Sequence, residues 1–322
     1  NLEINKTIIP DQWINYKNKN LFYGISPVIG GGSAQAEFEI LCGAPSILEY
    51  GTEFNRIGDS NTNCLPNYLK KYGYKTFASQ PMYGSFFNIE KAYKSIGFDK
   101  SFLTPNFDMS EMNNGWLSDE SFFNQHFELL KTSIQSEKPI LNYLFAVGCH
   151  TVIGQDQTFE KFIEYPQSKV LEQFLNCNTK SIKHLIKYVN KILNIDPDSL
   201  IIIIPDHNPP GIASSIYTQA GHLCDRSQYS FCDRRVNGIL IGENIKLKNK
   251  TLAYYEIPEF IINYISNNKL CTTIKCSINS NLVNLNGTIA DRKSLENVSD
   301  ESLRKYYEEL YISLIKESWI KN

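Results

Sequence analysis

Two short stretches of this chain hold side chains able to do chemistry together. Ser33 follows Gly30–Gly32, and Asp206 and His207 stand side by side after the run Leu200–Ile204. A serine hydroxyl is a poor nucleophile until a base or a metal activates it. A carboxylate beside an imidazole is a ligand pair suited to Zn²⁺ or Mn²⁺. Glycines before a small hydroxyl residue at a helix start bring free backbone N–H groups and a dipole to that one side chain. They also permit close backbone approach to a phosphate. His150, in Gly148-Cys-His150, and His222, fifteen residues after His207, are candidate acids, bases or second-metal ligands. His126 and His184 fall on amphipathic helical stretches and read as surface or packing residues. Each piece alone also has a bland reading: a glycine loop, a turn aspartate, an exposed histidine.

These residues need a frame. Ser199–Pro205 is a nearly continuous Ile-rich run bounded by turn residues, the pattern of a central parallel strand buried on both faces. Such a strand would deliver Asp206 and His207 at its carboxyl end, where open α/β sheets bind ligands. Ala34–Leu41 has no breaker and predicts a helix behind Ser33. Leu65–Tyr72 has helical spacing with Pro66 in its first turn, Gly73 stops it, and Tyr74–Ala78 reads as a strand. Further helices are expected over Phe87–Ile96, Ser118–Gln135 and Ser168–Leu193, the last interrupted near Asn176–Thr179. Ile140–Val147 is a second apolar strand, and Asn237–Ile241 and Ala253–Ile257 are weaker ones. Pro258–Ser266 reads as a helix, as does Asp300–Ile320, which Ser299 can cap. The alternation predicts an α/β fold with a central, mostly parallel sheet flanked by helices over 1–245. A small C-terminal α+β subdomain is expected over 246–322.

Composition narrows the class. The chain has 322 residues, of which 42% are hydrophobic, enough for a large core and too many for disorder. The net charge is −2 and no basic block appears, so no nucleic-acid partner is expected. Tyr143–Val147 and Leu200–Ile204, the longest apolar runs, fall far short of the roughly 20 residues of a membrane span. The chain starts at Asn1 rather than Met and reads as an excised fragment, with any signal or anchor upstream. Its eight cysteines are even in number and form no CxxC pair. Cys224/Cys232 and Cys271/Cys276 are near neighbours, leaving Cys42, Cys64, Cys149 and Cys177 to be paired in an order sequence alone does not set. An oxidising compartment is favoured over buried cytosolic thiols or a zinc-thiolate site.

Several motifs in one order carry a family resemblance. Ser26-Pro-Val-Ile-Gly-Gly-Gly-Ser-Ala-Gln-Ala-Glu-Phe-Glu resembles the nucleophile motif of the sulfatase-like phosphotransferases. These belong to the alkaline phosphatase superfamily, in the branch of lipoteichoic acid synthases, phosphoglycerol transferases and phosphoethanolamine transferases. Ser33 stands where that branch has Thr. Leu65-Pro-Asn-Tyr-Leu-Lys-Lys-Tyr-Gly-Tyr-Lys-Thr resembles its helix-to-strand segment, and Phe86-Phe-Asn-Ile-Glu-Lys-Ala-Tyr-Lys-Ser-Ile-Gly-Phe-Asp its Phe-Trp-Asn-Arg block. Gly148-Cys-His150 falls at a strand-end His, Ile204-Pro-Asp-His207 resembles the Gly-Asp-His metal motif, and Gly115-Trp-Leu-Ser-Asp119 fits a segment ending before a helix. The resemblance spans roughly Ile25 to Ile241.

The resemblance implies a metal held by Ser33, Asp206 and His207, with Ser33 as nucleophile and His150 as a second catalytic group. Gly32, Tyr83, Phe87 and His222 would then face substrate, and His150 with His222 would hold any second metal. It implies a phospholipid donor of phosphoglycerol or phosphoethanolamine and a glycan or lipid hydroxyl as acceptor. It also implies a catalytic domain on the periplasmic or extracellular side of a bacterial membrane, joined to it by an upstream anchor.

The chain departs from the pattern at four places. Ile89 replaces the family's Arg, Tyr83 is read in place of a strand-end His, Pro205 precedes Asp-His, and Asn208 follows it. The family's Glu metal ligand, which ends a first strand, has no counterpart. It is expected upstream of Asn1, with Glu3 or Glu37 as the alternatives within the chain. Two other functions compete: a phosphodiester or sulfate ester hydrolase, and a non-catalytic binding module of the same fold. A sulfatase is disfavoured because Ser33-Ala-Gln-Ala-Glu lacks the Arg of the sulfatase motif.

Overall fold

The computed structural model describes residues 10–46, 53–57, 62–113, 115–136, 138–150, 161–165, 168–208, 234–245, 247, 250–267, 281–285, 288–292 and 298–319. In chain order the helices are α1 (Asp11–Asn20), α2 (Ser33–Cys42), α3 (Glu53–Ile57), α4 (Leu65–Lys70), α5 (Ile89–Ile96), α6 (Asp119–Ile134), α7 (Lys169–Ile195), α8 (Ile257–Ile265) and α9 (Glu301–Trp319). The strands are β1 (Leu21–Ile25), β2 (Lys75–Ser79), β3 (Lys100–Phe102), β4 (Met112–Asn113), β5 (Trp116–Leu117), β6 (Ile140–Leu144), β7 (Ile201–Ile203), β8 (Arg235–Ile241), β9 (Thr251–Ala253), β10 (Leu282–Leu285) and β11 (Thr288–Asp291).

Two sheets carry the site. In the first, ordered β3-β2-β6, all strands are parallel, so Gln80 after β2 and the turn after β6 leave from one edge. The second is ordered β7-β8-β1-β9 and is mixed. β8 is antiparallel to both β1 and β7, while β9 is parallel to β1. β1, β7 and β9 therefore run the same way, and the carboxyl ends of β1 and β7 lie together. The α/β class matches expectation, but β7 does not sit as read from its Ile run. Among the described residues it pairs only with antiparallel β8, and all three of its residues are half-buried. An apolar run reports burial potential; it does not report which neighbour, or how many, the strand acquires.

The helices pack on these sheets. α2 is buried almost all round, with Ala34, Ala36, Phe38, Leu41 and Cys42 in the core. Its residues join Ile25, Phe54, Met82, Tyr93 and Val147 in one apolar cluster. α6 and α7 enclose a second cluster of Phe122, Phe123, Phe127 and Tyr188 against Phe77 of β2 and Phe102 of β3.

Smaller differences have local causes. α7 runs through 176–179 without a break, because its polar side chains bond within or beside the helix. Thr179 Oγ1 donates to Leu175 O at 2.7 Å, Asn178 Nδ2 to Phe174 O at 2.8 Å, and Asn176 Oδ1 accepts from Ile163 N at 2.7 Å. At α9 the capping acceptor is Asp300, whose Oδ1 takes the Leu303 N–H at 2.9 Å, rather than Ser299. Of Ala253–Ile257 only Ala253 is strand, closing β9; Tyr254–Glu256 form a 3₁₀ step leading to α8 at Ile257. Thr251–Ala253, past residue 245, pairs with β1 in the second sheet. Among the described residues no helix is long and apolar enough to cross a membrane.

Candidate active site

Ser33 is the first residue of α2. Gly30, Gly31 and Gly32 precede it with φ of 63°, 82° and 77°, a left-handed run that side chains with a Cβ rarely adopt. This run swings the chain from β1 into α2 and leaves the first N–H groups of the helix around the Ser33 side chain. No side chain caps that end. It is suited to an anion.

The carboxyl end of β7 meets this loop. Ser33 Oγ donates to Asp206 Oδ2 at 2.6 Å and lies 3.5 Å from His207 Nε2. His207 Nε2 is 3.1 Å from the same Asp206 oxygen. Backbone contacts hold the three together. Wholly buried Ser26, just after β1, donates to Asp206 O at 2.7 Å. Gly30 N–H donates to Asn208 O at 3.2 Å, and His207 Nδ1 sits 2.8 Å from that oxygen. A carbonyl only accepts, so Nδ1 carries a proton, and Nε2 is the ring nitrogen that faces Asp206 and Ser33. The hydroxyl of Tyr254 donates to Pro205 O, so the proline that lacks an N–H is still anchored.

A hydroxyl oxygen, a carboxylate oxygen and a ring nitrogen thus converge, all donors with lone pairs facing one point. This set fits a small divalent cation such as Zn²⁺ or Mn²⁺. Among the described residues no group of three or more His, Cys, Asp or Glu side chains is placed to hold a metal, so the serine oxygen is needed as the third donor. Glu37 is not in this set. It lies one turn along α2 from Ser33, 1% exposed, and its Oε2 accepts from Tyr93 Oη at 2.5 Å. Burial pushes its carboxyl up to about 8 against the pull of hydrogen bonds from Tyr93 and Tyr143, and nearby Asp206 adds to the rise. Burial likewise pushes Glu39 up to about 8, although Ser46 donates to it through both N–H and hydroxyl.

His150 follows β6 and is exposed. Loss of part of its hydration lowers its pKa, while the charge of Asp206 raises it and that of His207 lowers it. Trp116 meets it edge-on with ring centroids 5.0 Å apart.

The remaining candidates scatter. Gly32 caps α2 beside Ser33. Tyr83 is 68% exposed and stands four residues past the end of β2; the strand-end position itself is Gln80, 2% exposed. Gln80 Oε1 accepts from Tyr93 Oη at 3.0 Å. Phe87 packs against Phe86 with centroids 4.4 Å apart, and it and Asn88 have φ of 49° and 59°. Two consecutive non-glycine residues in that region mark a strained turn. Ile89, where the resemblance has Arg, is wholly buried. His126 is wholly buried, with Nδ1 2.9 Å from Tyr188 Oη, and burial pushes its pKa down to about 4. His184 lies 3.5 Å from Glu120. His222, Glu3 and the cysteines 224, 232, 271 and 276 lie outside the described residues. The four described cysteines pair as Cys42–Cys64 and Cys149–Cys177. Ser26 and Asp119 were not singled out as site residues from the sequence. For Ser26 the only signal was its place just before the glycine run, and for Asp119 its place closing the Gly115-Trp-Leu-Ser segment.

A serine-bearing helix start facing an Asp-His strand end, on sheets flanked by helices, defines an alkaline phosphatase-like α/β protein. The chain belongs to the Sulfatase family, whose sequence profile matches residues 22–274. It is 27% identical over 168 residues to the lipoteichoic acid synthase of Staphylococcus saprophyticus, covering 50% of this chain and 25% of that protein. It is 28% identical over 175 residues to lipoteichoic acid synthase 1 of Bacillus subtilis, covering 50% and 26%. The matched stretch is thus about a quarter of these relatives. In fold it is similar to the lipoteichoic acid synthase LtaP from Listeria monocytogenes, with a TM-score of 0.74 at 18% identity over 99% of this chain and 87% of that one. It is also similar to the Streptococcus pyogenes phosphoglycerol transferase GacH in complex with sn-glycerol-1-phosphate, with a TM-score of 0.65 at 14% identity over 96% and 78%.

Proposed function

We propose that this chain is the catalytic domain of a phosphotransferase that moves a glycerophosphoryl group from a phospholipid to a glycan or lipid hydroxyl. The observation that carries the reading is the 2.6 Å contact of Ser33 Oγ with Asp206 at the start of α2. In the first half-reaction Ser33 Oγ forms a bond to phosphorus and its proton passes toward the Asp206 oxygen it already faces. The bond from phosphorus to the diacylglycerol oxygen breaks, and that oxygen takes a proton from His150. In the second, an acceptor hydroxyl passes its proton to His150 as its oxygen attacks phosphorus, the bond to Ser33 Oγ breaks, and Ser33 recovers its proton from Asp206. The N–H groups at the start of α2 offset charge on the phosphoryl oxygens.

Asp206, His207 and Ser33 would hold a divalent cation, which when bound supplies Lewis acidity at the phosphoryl group. Both described disulfides support an oxidising compartment, outside the cytoplasmic membrane. The names of the relatives, synthases of lipoteichoic acid and a phosphoglycerol transferase, support glycerophosphoryl over phosphoethanolamine transfer.

The test is intact-mass spectrometry after incubation with phosphatidylglycerol vesicles and Mn²⁺ or Zn²⁺. One glycerophosphoryl group on Ser33, absent in Ser33→Ala, is the expected result. No adduct and no released diacylglycerol with either metal would overturn the reading in favour of a binding module.

A further inference from the structure

The turn Gly148–His150 is gripped from three directions. Asp119, the first residue of α6 and 8% exposed, accepts the Gly148 N–H at 2.9 Å through Oδ1 and the Ser181 hydroxyl of α7 through Oδ2. Cys149 is bonded to Cys177, one helical turn before Ser181 on α7. Trp116, three residues before Asp119, sets its ring against His150 at 69°. A Cβ at position 148 would lie 2.4 Å from Asp119 Oδ1, so the carboxylate can come this close only to a glycine. Helix capping does not account for Asp119. Ser118 already caps α6, accepting the Ser121 N–H at 3.2 Å, and both Asp119 oxygens are engaged elsewhere.

We propose that Asp119 is a positioning residue which, with the Cys149–Cys177 bond and Trp116, holds the His150 imidazole in one fixed orientation. His150 stands six residues past the end of β6, outside any helix or strand, so neighbouring side chains must supply the order that a sheet would otherwise give. The clamp uses residue 116 on 150, residue 119 on 148 and residue 177 on 149, one anchor for each residue of the turn. Its catalytic consequence rests on the reading of His150 as the group that protonates the leaving alcohol.

The experiment reads His150 directly. In the full chain labelled with ¹³C-histidine, the His150 ring resonance is identified by its loss in His150→Gln. Buried His126, on the same helix as Asp119 but bonded to Tyr188, serves as internal reference. Asp119→Asn keeps the shape and puts an amide donor where one of two acceptor oxygens stood; Cys149→Ser with Cys177→Ser removes the second anchor. In each variant the His150 resonance should shift or broaden while that of His126 stays. On phosphatidylglycerol vesicles kcat should fall roughly ten- to a hundredfold, with KM within about twofold, as expected for misplacement of a reacting group. A His150 resonance unmoved in both variants overturns the clamp, as does a matching shift of His126, which would make Asp119 a general support of α6. A moved His150 resonance with unchanged kcat keeps the clamp and removes His150 from the chemistry, so the two readings fail separately.

Discussion

The two walls of the site are built differently. On one, Ser33, Asp206 and His207 touch one another within 3.5 Å, and the bonds from Ser26 Oγ to Asp206 O and from Gly30 N–H to Asn208 O tie the loop after β1 to the end of β7. On the other, after β2, the side chains face different ways: Gln80 inward, Tyr83 into solvent, Ile89 into the core. The first wall holds the groups that make and break bonds in the proposed reaction. The second is where the resemblance places headgroup-binding residues, and there Tyr83 and Ile89 replace them outright, whereas the departures on the first wall, Ser33, Pro205 and Asn208, leave a hydroxyl beside an Asp-His pair. A reaction centre tolerates little change, because each donor must converge on one point. A recognition wall can exchange a charged contact for packing and alter what is bound without touching the chemistry.

The largest effect should come from the first wall. Ser33→Ala and Asp206→Asn should each lower turnover on phosphatidylglycerol vesicles by roughly 10³-fold or more, with circular dichroism unchanged, while Ser33→Thr stays active. Full activity in either of the first two variants would break the contrast at its root. Next, Ile89→Ala should cost about 2–5 kcal/mol in urea denaturation, since it opens a cavity at a wholly buried position. Tyr83→Ala, at an exposed position, should change stability by no more than about 0.5 kcal/mol. If Ile89→Ala proved equally silent, its side chain would belong to the site opening rather than the core.

Reduction tests how firmly the first wall is tied. Cys42 ends α2, and its bond to Cys64 closes a separation of 22 residues. The paired change Cys42→Ser with Cys64→Ser should destabilise the chain by roughly 2–4 kcal/mol. Thiol titration of denatured, unreduced protein should find Cys42, Cys64, Cys149 and Cys177 unreactive.

A pH dependence lies behind the same wall. Burial raises Glu37 from its ordinary 4.5 to about 8, so between those values the unfolded chain has lost a proton that the folded chain keeps. Its favourable contribution is complete below about pH 4.5 and is lost as pH rises through 8. The thermal midpoint should therefore fall between pH 5 and 8, and Glu37→Gln should flatten that fall. An unaltered slope would mean that Glu39, raised to about 8 by burial in the same helix, carries it alone.

Much of the first wall is legible in the sequence itself. Local chemistry announces it: three glycines before a hydroxyl residue permit a sharp turn, and an Ile run followed by Asp-His sets a carboxylate and an imidazole at a strand end. Helices α2, α4, α5 and α6 follow from spacing, stop residues and the absence of breakers, all of which act within a few residues. The pairing of Cys42 with Cys64 and Cys149 with Cys177 was not legible, because it depends on which helices meet. Neither was the antiparallel partner of β7, since an apolar strand is compatible with several neighbours. Tertiary structure alone decided that Gln80 rather than Tyr83 directly follows β2, that Ile89 points into the core, and that Glu37 is buried one turn along α2 from Ser33. It also brought Asp119 to Gly148 across 29 residues of sequence. Residue types and short-range spacing determine which groups can react; burial and long-range contact determine which of them are aimed, braced and kept from water, and those depend on the whole chain at once.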